Sequence, residues 1–434
     1  MTKLYGLHSA LHIIFALALV LLPSLSNASE RQSEFYKIIG KHASGRSVAE
    51  TKDGYIIAGG APDKAGRCCL GWVIKIDKSG NKLWERTLGE NYDDYNFVKT
   101  AVIGSKVVLA GATDVYYQPE WHAGRFSAAK VWALKLTEDG AIEWEKRLRS
   151  RAGITDENAD VFPAVLATDV KAVNGDKTII AGFQEIGAFH VPAVWMLDAK
   201  GEVVWVKSID VERGQSISAD RVYPLQDGDF VIAGRFADYN NDSLGAWLAR
   251  IGPEGAVRWE RVIETEKGGD GEGLSRSIAI TESGDGVIVG VGKGYLKLDR
   301  ADNAGSIKSA TFISSKSSVW LNKLKKNGDL EWRKKIEAPD ACEINGLWTI
   351  NMQDDGIVAA GETCKDEGEK IWAATLSASG RFKSMKEMLP VKGANVQQII
   401  PSGDGGLTAV GVLYEKETNS PATWIYRTKF NSDN

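Results

Sequence analysis

Histidine is scarce in this chain, 5 among 434 residues, and it is accompanied by only 4 cysteines and 5 methionines. Past residue 28 the histidines are His42, His122 and His190. Their separations match no metal-ligand spacing, and neither a Gly-x-Ser-x-Gly elbow nor a Cys-His nucleophile signature accompanies them. The enzyme signal is therefore weak. Basic blocks and like-charge tails are missing as well, and the net charge is −4. Such a near balance excludes nucleic acid as the main partner. One apolar run stands out, LHIIFALALVLLPSL, after a lone Lys3 and before Ser26-Asn27-Ala28. It falls short of the roughly 20 residues of a comfortable membrane span. A basic start, a short apolar core and a small residue at the end predict a signal peptide over residues 1–28. Its removal takes away Lys3 and no acid, so the charge moves from −4 to −5. The expectation is an exported monomer, in a bacterial periplasm or secreted, with no stable membrane span once the signal is removed and with residues 29–434 as a single domain.

Tryptophan and glycine are plentiful, with 14 and 46 copies, and their placement repeats. WVIKIDKSGNKLWERTLG begins at Trp72, and VWALKLTEDGAIEWEKRL, AWLARIGPEGAVRWERVI and VWLNKLKKNGDLEWRKKI follow from Val131, Ala246 and Val319. The leading Trp occurs seven times, at Trp72, Trp132, Trp195, Trp247, Trp320, Trp372 and Trp424. A second Trp follows at Trp84, Trp144, Trp205, Trp259 and Trp332. Each leading Trp is preceded by a β-rich run ending in Gly59, Gly111, Gly182, Gly234, Gly290, Gly361 or Gly411. Apolar residues alternate with period two and Gly marks the turns, which excludes helical repeats. Four short strands per unit define the blade of a propeller. The fold expected is all-β, a seven-bladed β-propeller of four-stranded antiparallel blades.

The last unit stops after TWIYRTKF without a fourth strand. FYKIIG aligns with WERTLG, placing Phe35 at the Trp84 position and Lys37 at the Arg86 position. Residues 34–40 are thus expected to complete the last blade and close the ring.

The pattern resembles secreted bacterial β-propellers with quinoprotein-like repeats, over residues 33–430. That family's docking repeat sets Asp, then Gly four residues on, then Trp four further. Here Asp77, Gly80 and Trp84 have the first interval one residue shorter, and seven units replace the usual eight. The resemblance implies PQQ and calcium as cofactors, but with these departures no cofactor is expected. A vicinal disulfide, as in some quinoprotein dehydrogenases, is what it implies for Cys68-Cys69. Cys342 and Cys364 fall in two loops of one blade and suit a bridge of their own. Separate bridges from Cys68 and Cys69 to Cys342 and Cys364, or free thiols, remain alternatives.

Turns between strands one and two, and three and four, are short, so insertions collect on the opposite rim. Loops on a rigid scaffold are where recognition resides. The richest, TDVYYQPEWHAGRFSAAK, offers Tyr116, Tyr117, Trp121, His122 and Arg125, a set suited to sugar stacking or protein contact. The alternative is that these aromatics fold back as a satellite cluster. Arg46, Arg221 and Arg276 precede comparable points of three inner strands. They would form an anion-attracting ring if they converge, or else pair with acids such as Asp220 and Glu272. DYNNDSLG places Asp238, Asn240 and Asp242 like the start of a calcium loop, without its distal Glu. An Asx-rich turn is enough to explain it, and no metal is expected. Asp156 and Asp160, with Glu185 and His190 nearby, could serve acid–base work on a glycan. The expected function is a binding or scaffold module for an envelope or extracellular protein or glycan. The competing expectation is an enzyme, quinone-linked or glycan-cleaving, at the channel mouth.

Overall fold

In the first repeat, Gly54–Ala61 and Leu70–Asp77 are buried almost throughout, whereas Lys82–Leu88 is largely exposed. This is the burial expected of a stack of sheets in which the middle strands are covered on both faces and the outermost edge meets water. The computed structural model describes residues 34–429 apart from 67–68, 90–94, 114–115, 118–125, 128, 150–163, 187–188, 213, 239–242, 265–271, 285, 301–306, 337–343, 354–355, 364–369, 391–393 and 416–419. Seven antiparallel sheets form a seven-bladed β-propeller. Blades I to VII begin with the inner strands Ser44–Glu50, Tyr95–Ile103, Val165–Val173, Gln215–Ile217 with Arg221–Pro224, Glu272–Ser283, Ile344–Gln353 and Ala394–Pro401. Among the described residues no helix is long and apolar enough to cross a membrane.

Ring closure follows the register expected. Phe35–Lys41 pairs with Pro421–Thr428 as the outer strand of blade VII. Phe35 lies opposite Arg427 as Trp84 lies opposite Lys75, the equivalent position of blade I. The first and last segments of the ring therefore share one hydrogen-bonded sheet, which leaves no open inter-blade seam.

The two tryptophans of a repeat do different work. The leading ones fill the wedges: Trp72, Trp132, Trp195, Trp247, Trp372 and Trp424 are at most 1% exposed. Each packs against the preceding blade, as Trp132 does with Ile56 and Ala58 of blade I. Each such side chain removes about 200 Å² from water. At about 25 cal/mol/Å² this amounts to about 5 kcal/mol before ordering costs. Trp320 is the exception, half-buried with the Arg333 guanidinium 4.7 Å from its ring centre.

The second tryptophans point the other way, onto the turn between strands three and four of the next blade. A Cβ on Gly201, at φ 77°, would lie 2.7 Å from the Trp144 ring. Gly140, Gly255, Gly328 and Gly380 stand in the same way under Trp84, Trp205, Trp259 and Trp332. The indole N–H groups of Trp84, Trp144, Trp205 and Trp259 donate to the carbonyls of Glu138, Ala199, Pro253 and Lys326 in those turns, at 2.8–3.1 Å. The glycine is needed twice over, for its positive φ and for the ring that covers it. At the closing seam Phe35 and Lys37 cover Gly80 instead, and Lys37 Nζ donates to Asn81 Oδ1 at 3.1 Å. Blade VII has no covalent turn between its third and fourth strands. The residue of blade VI that would dock there is Ser384, opposite Thr375.

Candidate functional site

Every inner strand carries a register shift. It falls between Gly45 and Ser47 in blade I, Tyr95 and Lys99 in II, Ala167 and Asp169 in III, and Leu274 and Ile278 in V. In VI it lies between Leu347 and Thr349, and in VII between Val396 and Gln398. In blade IV the same shift splits the strand between Ile217 and Arg221. A bulge presses backbone against the neighbouring strand, and this explains the glycine that ends most second strands. A Cβ on Gly182 would lie 2.0 Å from the Leu166 carbonyl oxygen, and one on Gly234 1.6 Å from that of Ser218. Gly59, Gly361 and Gly411 meet the carbonyls of Ser44, Gly346 and Asn395 in the same way. Gly290 differs: its close neighbours are Leu347 and Ile350 of the next blade.

Bulges re-aim side chains and free backbone groups. The freed groups are met by polar side chains around the channel. Thr100 N–H donates to Ser47 Oγ at 2.9 Å, and Val48 N–H to Gln398 Oε1 at 2.9 Å. Thr168 Oγ1 donates to the Ala219 carbonyl. Asp169, 1% exposed, accepts from Val170 N–H at 3.0 Å and from Val222 N–H of blade IV at 3.1 Å. Lys171 Nζ closes on the same carboxylate at 3.0 Å. Burial alone would push the Asp169 carboxyl up. The charges of Lys171, Arg221 and Lys99 and the Val222 bond outweigh it and hold the group below the ordinary range.

Lys99 stands at the blade II bulge and is 7% exposed. Its ammonium lies 5.7 Å from the centre of the Trp348 ring. Trp348 is the extra residue of the blade VI bulge, so this contact crosses the channel between non-adjacent blades. The Trp348 indole N–H is held by Glu362 Oε2 at 2.7 Å. Burial first, then Arg221 and Lys171, push Lys99 well below the ordinary lysine value against the pull of Asp169.

Of the three arginines expected near the channel mouth, Arg46 is the extra residue of the blade I bulge and is half-buried. Arg276 falls in the shifted segment of blade V. Arg221 Nη1 donates to the Asp220 carbonyl at 2.8 Å. The Asp220 carboxylate goes to Arg235 instead, at 2.8 and 3.2 Å. Nearby, His190 lies opposite Glu185 across the extended hairpin of blade III, with 3.8 Å between Nε2 and Oε1. Its ring packs 4.2 Å from that of Phe183. Burial and then Arg235 hold His190 below its ordinary pKa, against Asp220.

The rim loop of blade II contains a small hairpin, in which Tyr116 and Tyr117 pair with Ser127 and Phe126. Trp121, His122 and Arg125 lie outside the described residues, as do Asp156, Asp160, Asn240 and Asp242. Asp238 is buried and receives a bond from Gln215 Nε2 at 3.3 Å. Among the described residues no group of three or more His, Cys, Asp or Glu is placed to hold a metal ion. Cys69 is disulfide-bonded, and Cys68, Cys342 and Cys364 lie outside the described residues. Blade V adds a feature the sequence did not announce. Its middle strands, Gly286–Arg300 and Ile307–Leu324, stay paired to Arg300 and Ile307. The pair extends some eight residues beyond the blade, roughly 25 Å at strand rise.

No family model matches the chain, and no curated protein matches it. Among solved structures it is similar to the polysaccharide lyase Uly1, at 11% identity and a TM-score of 0.55, covering 89% of this chain and 90% of that one. It is also similar to the Plexin A4 extracellular region, at 8% identity and a TM-score of 0.52, covering 91% of this chain and 51% of that one. A third similarity is to Chaetomium thermophilum Sqt1, at 13% identity and a TM-score of 0.47, covering 91% and 97%. These likenesses concern the β-propeller fold alone.

Proposed function

We propose that this chain is an exported binding module that docks a protein or glycan on its long-loop rim. One observation carries the reading. Turns between first and second strands, and between third and fourth strands, span two to five residues, while the opposite rim bears the Tyr116–Ser127 hairpin and the long arm of blade V. A ring locked by reciprocal tryptophans gives those elements a rigid base, and such preorganisation lowers the ordering cost of binding. In this reading Tyr116, Tyr117, Trp121, His122 and Arg125 are the anchors, no cofactor takes part, and a disulfide at Cys68-Cys69 would stiffen the loop of blade I. The test is capture from an envelope extract on immobilised protein, with bound proteins and glycans identified by mass spectrometry. A partner held by the wild type, and lost both by Trp121→Ala/His122→Ala and by a variant whose blade V arm is cut back to a short turn, supports docking on this rim. Retention by both variants would move the surface elsewhere.

A second reading has a specific observation in its favour. Glu185 and His190 face each other on the same rim beside the Asp220–Arg235 pair, and a carboxylate–imidazole pair can move a proton at a glycan. The reading would be an enzyme acting on polysaccharide. Turnover of a polysaccharide that disappears in His190→Gln and Glu185→Gln would favour it over pure binding.

A further inference from the structure

The channel cluster is not used by either rim reading. Asp169 has its oxygens occupied by two backbone N–H groups and Lys171, and Glu362 is taken by the Trp348 indole. Lys99 differs from both. It is 7% exposed, and the carboxylate whose charge acts on it, Asp169, is already held by Lys171 at 3.0 Å. What the ammonium meets is the face of a tryptophan from across the ring, an attraction weaker than the hydration it has given up. Lys171 and Arg221 add two more positive charges that act on it. Three cations that share the Asp169 carboxylate leave an excess of positive charge largely out of water, and departures of this kind cluster at binding sites. Lys171, 37% exposed in its side chain, and the half-buried Arg221 connect the position to solvent.

We propose that the central channel binds a small multivalent oxyanion, held between Lys99, Lys171 and Arg221, with the Trp348 ring backing the Lys99 ammonium. The three donors suit oxygen acceptors spread over one compact ligand. Arg221 presents a planar fork, while the two ammonium groups act as point charges. Asp169 fixes Lys171 and thereby sets the position of one of the donors. Glu362 does the same for the ring through the indole N–H. The site is separate from the rim and does not depend on which macromolecule docks there.

The experiment is calorimetric titration of the purified protein with inorganic phosphate and, separately, with succinate, at constant ionic strength set by chloride. Thermal melts run alongside. Saturable binding of either anion is expected, with affinity at least tenfold weaker in Lys99→Met and in Arg221→Gln. Lys99→Met is also expected to melt above the wild type when no anion is present, because a methionine removes the buried charge and keeps the volume. Preference for phosphate would assign a phosphate-bearing ligand, and preference for succinate a dicarboxylate. No saturable heat with either anion, or unchanged affinity in Lys99→Met, would overturn the proposal. Should Lys99→Met not fold, Lys171→Met, whose side chain is partly in water, and Arg221→Gln decide in the same way.

Discussion

Asp169 stays ionised although its side chain is almost wholly out of water. Desolvation raises its pKa, and Lys171, Arg221, Lys99 and the Val222 N–H together more than offset that. With the folded value below the unfolded value, the group contributes stability that is fully present above the unfolded pKa, about 3.9 for a free Asp. That stability is lost as pH falls through the folded value. Asp169→Asn keeps the shape but leaves Lys171 without its counter-charge, and a cost of about 3 kcal/mol is expected. Urea unfolding at pH 7 measures it, and a loss below about 0.5 kcal/mol, the scale of a surface change, would contradict the assignment. His190 gives a shift of the same sign with a different chemistry. Burial and Arg235 keep its ring neutral, so its contribution is complete above the unfolded pKa of about 6.5 and fades as pH drops through the folded value. Melting temperature measured between pH 7 and pH 5 should fall more steeply in the wild type than in His190→Gln.

At the level of strands, the bulge and its facing glycine form one unit. Gly182→Ala and Gly234→Ala each drive a methyl into a backbone carbonyl that cannot rotate away. A loss of about 3 kcal/mol is expected for each, from overpacking and displaced inner-strand backbone. An equal change at Gly290 meets the Leu347 and Ile350 side chains instead, which can adjust, so it should cost less in the same denaturant titration. Trp205→Phe keeps a ring over Gly255 and forfeits the bond to the Pro253 carbonyl. About 1 kcal/mol is expected for it. These elements also mark what could be read in advance. The Trp spacing and the Gly turns were visible because each is local, and Phe35 could be placed on Trp84 because the missing fourth strand left a gap in a counted series. Bulges were not visible, since a register shift is a relation between two strands and leaves no mark on either alone. Arg46 and Arg276 stand at comparable points of their strands in the sequence, but nothing there marks them as residues of shifted segments. Lys99, Asp169 and Trp348 come from three different repeats, and each resembles an ordinary strand residue until the ring brings them together. The arm of blade V was hidden because the chain between Gly290 and Trp320 carries the glycine and serine of a loop.

For the whole molecule, the direction of tryptophan docking distinguishes one seam from the other six. Going round the ring, each blade seats its outer-strand side chain on the next blade's turn, except that blade VI offers Ser384 where blade VII has no turn to receive it. If docking needs a covalent glycine turn, a tryptophan at 384 should gain nothing in the natural chain. It should gain stability once such a turn exists. A circular permutant provides one: Lys429 joined to Ser33 through a short Lys-Ser-Gly-Asn turn, the spacing that separates Asp77 from Lys82 in blade I, with new ends at His42. That residue is one of the two described non-glycine positions with positive φ, at 61°, so opening the backbone there also relieves strain. The permutant should fold with the same seven sheets, because strand order within blade VII is unchanged by where the chain is cut. In it, Ser384→Trp is expected to raise stability by about 1–2 kcal/mol, the scale of a partly buried aromatic with one hydrogen bond. The same change in the natural chain should stay within about 0.5 kcal/mol. Urea unfolding of the four proteins forms a double-mutant cycle, and its coupling energy reads the turn–tryptophan contact directly. A coupling near zero would mean that the repeated tryptophans hold the ring through their own blades, and that the glycine turns beneath them are a matter of local geometry alone.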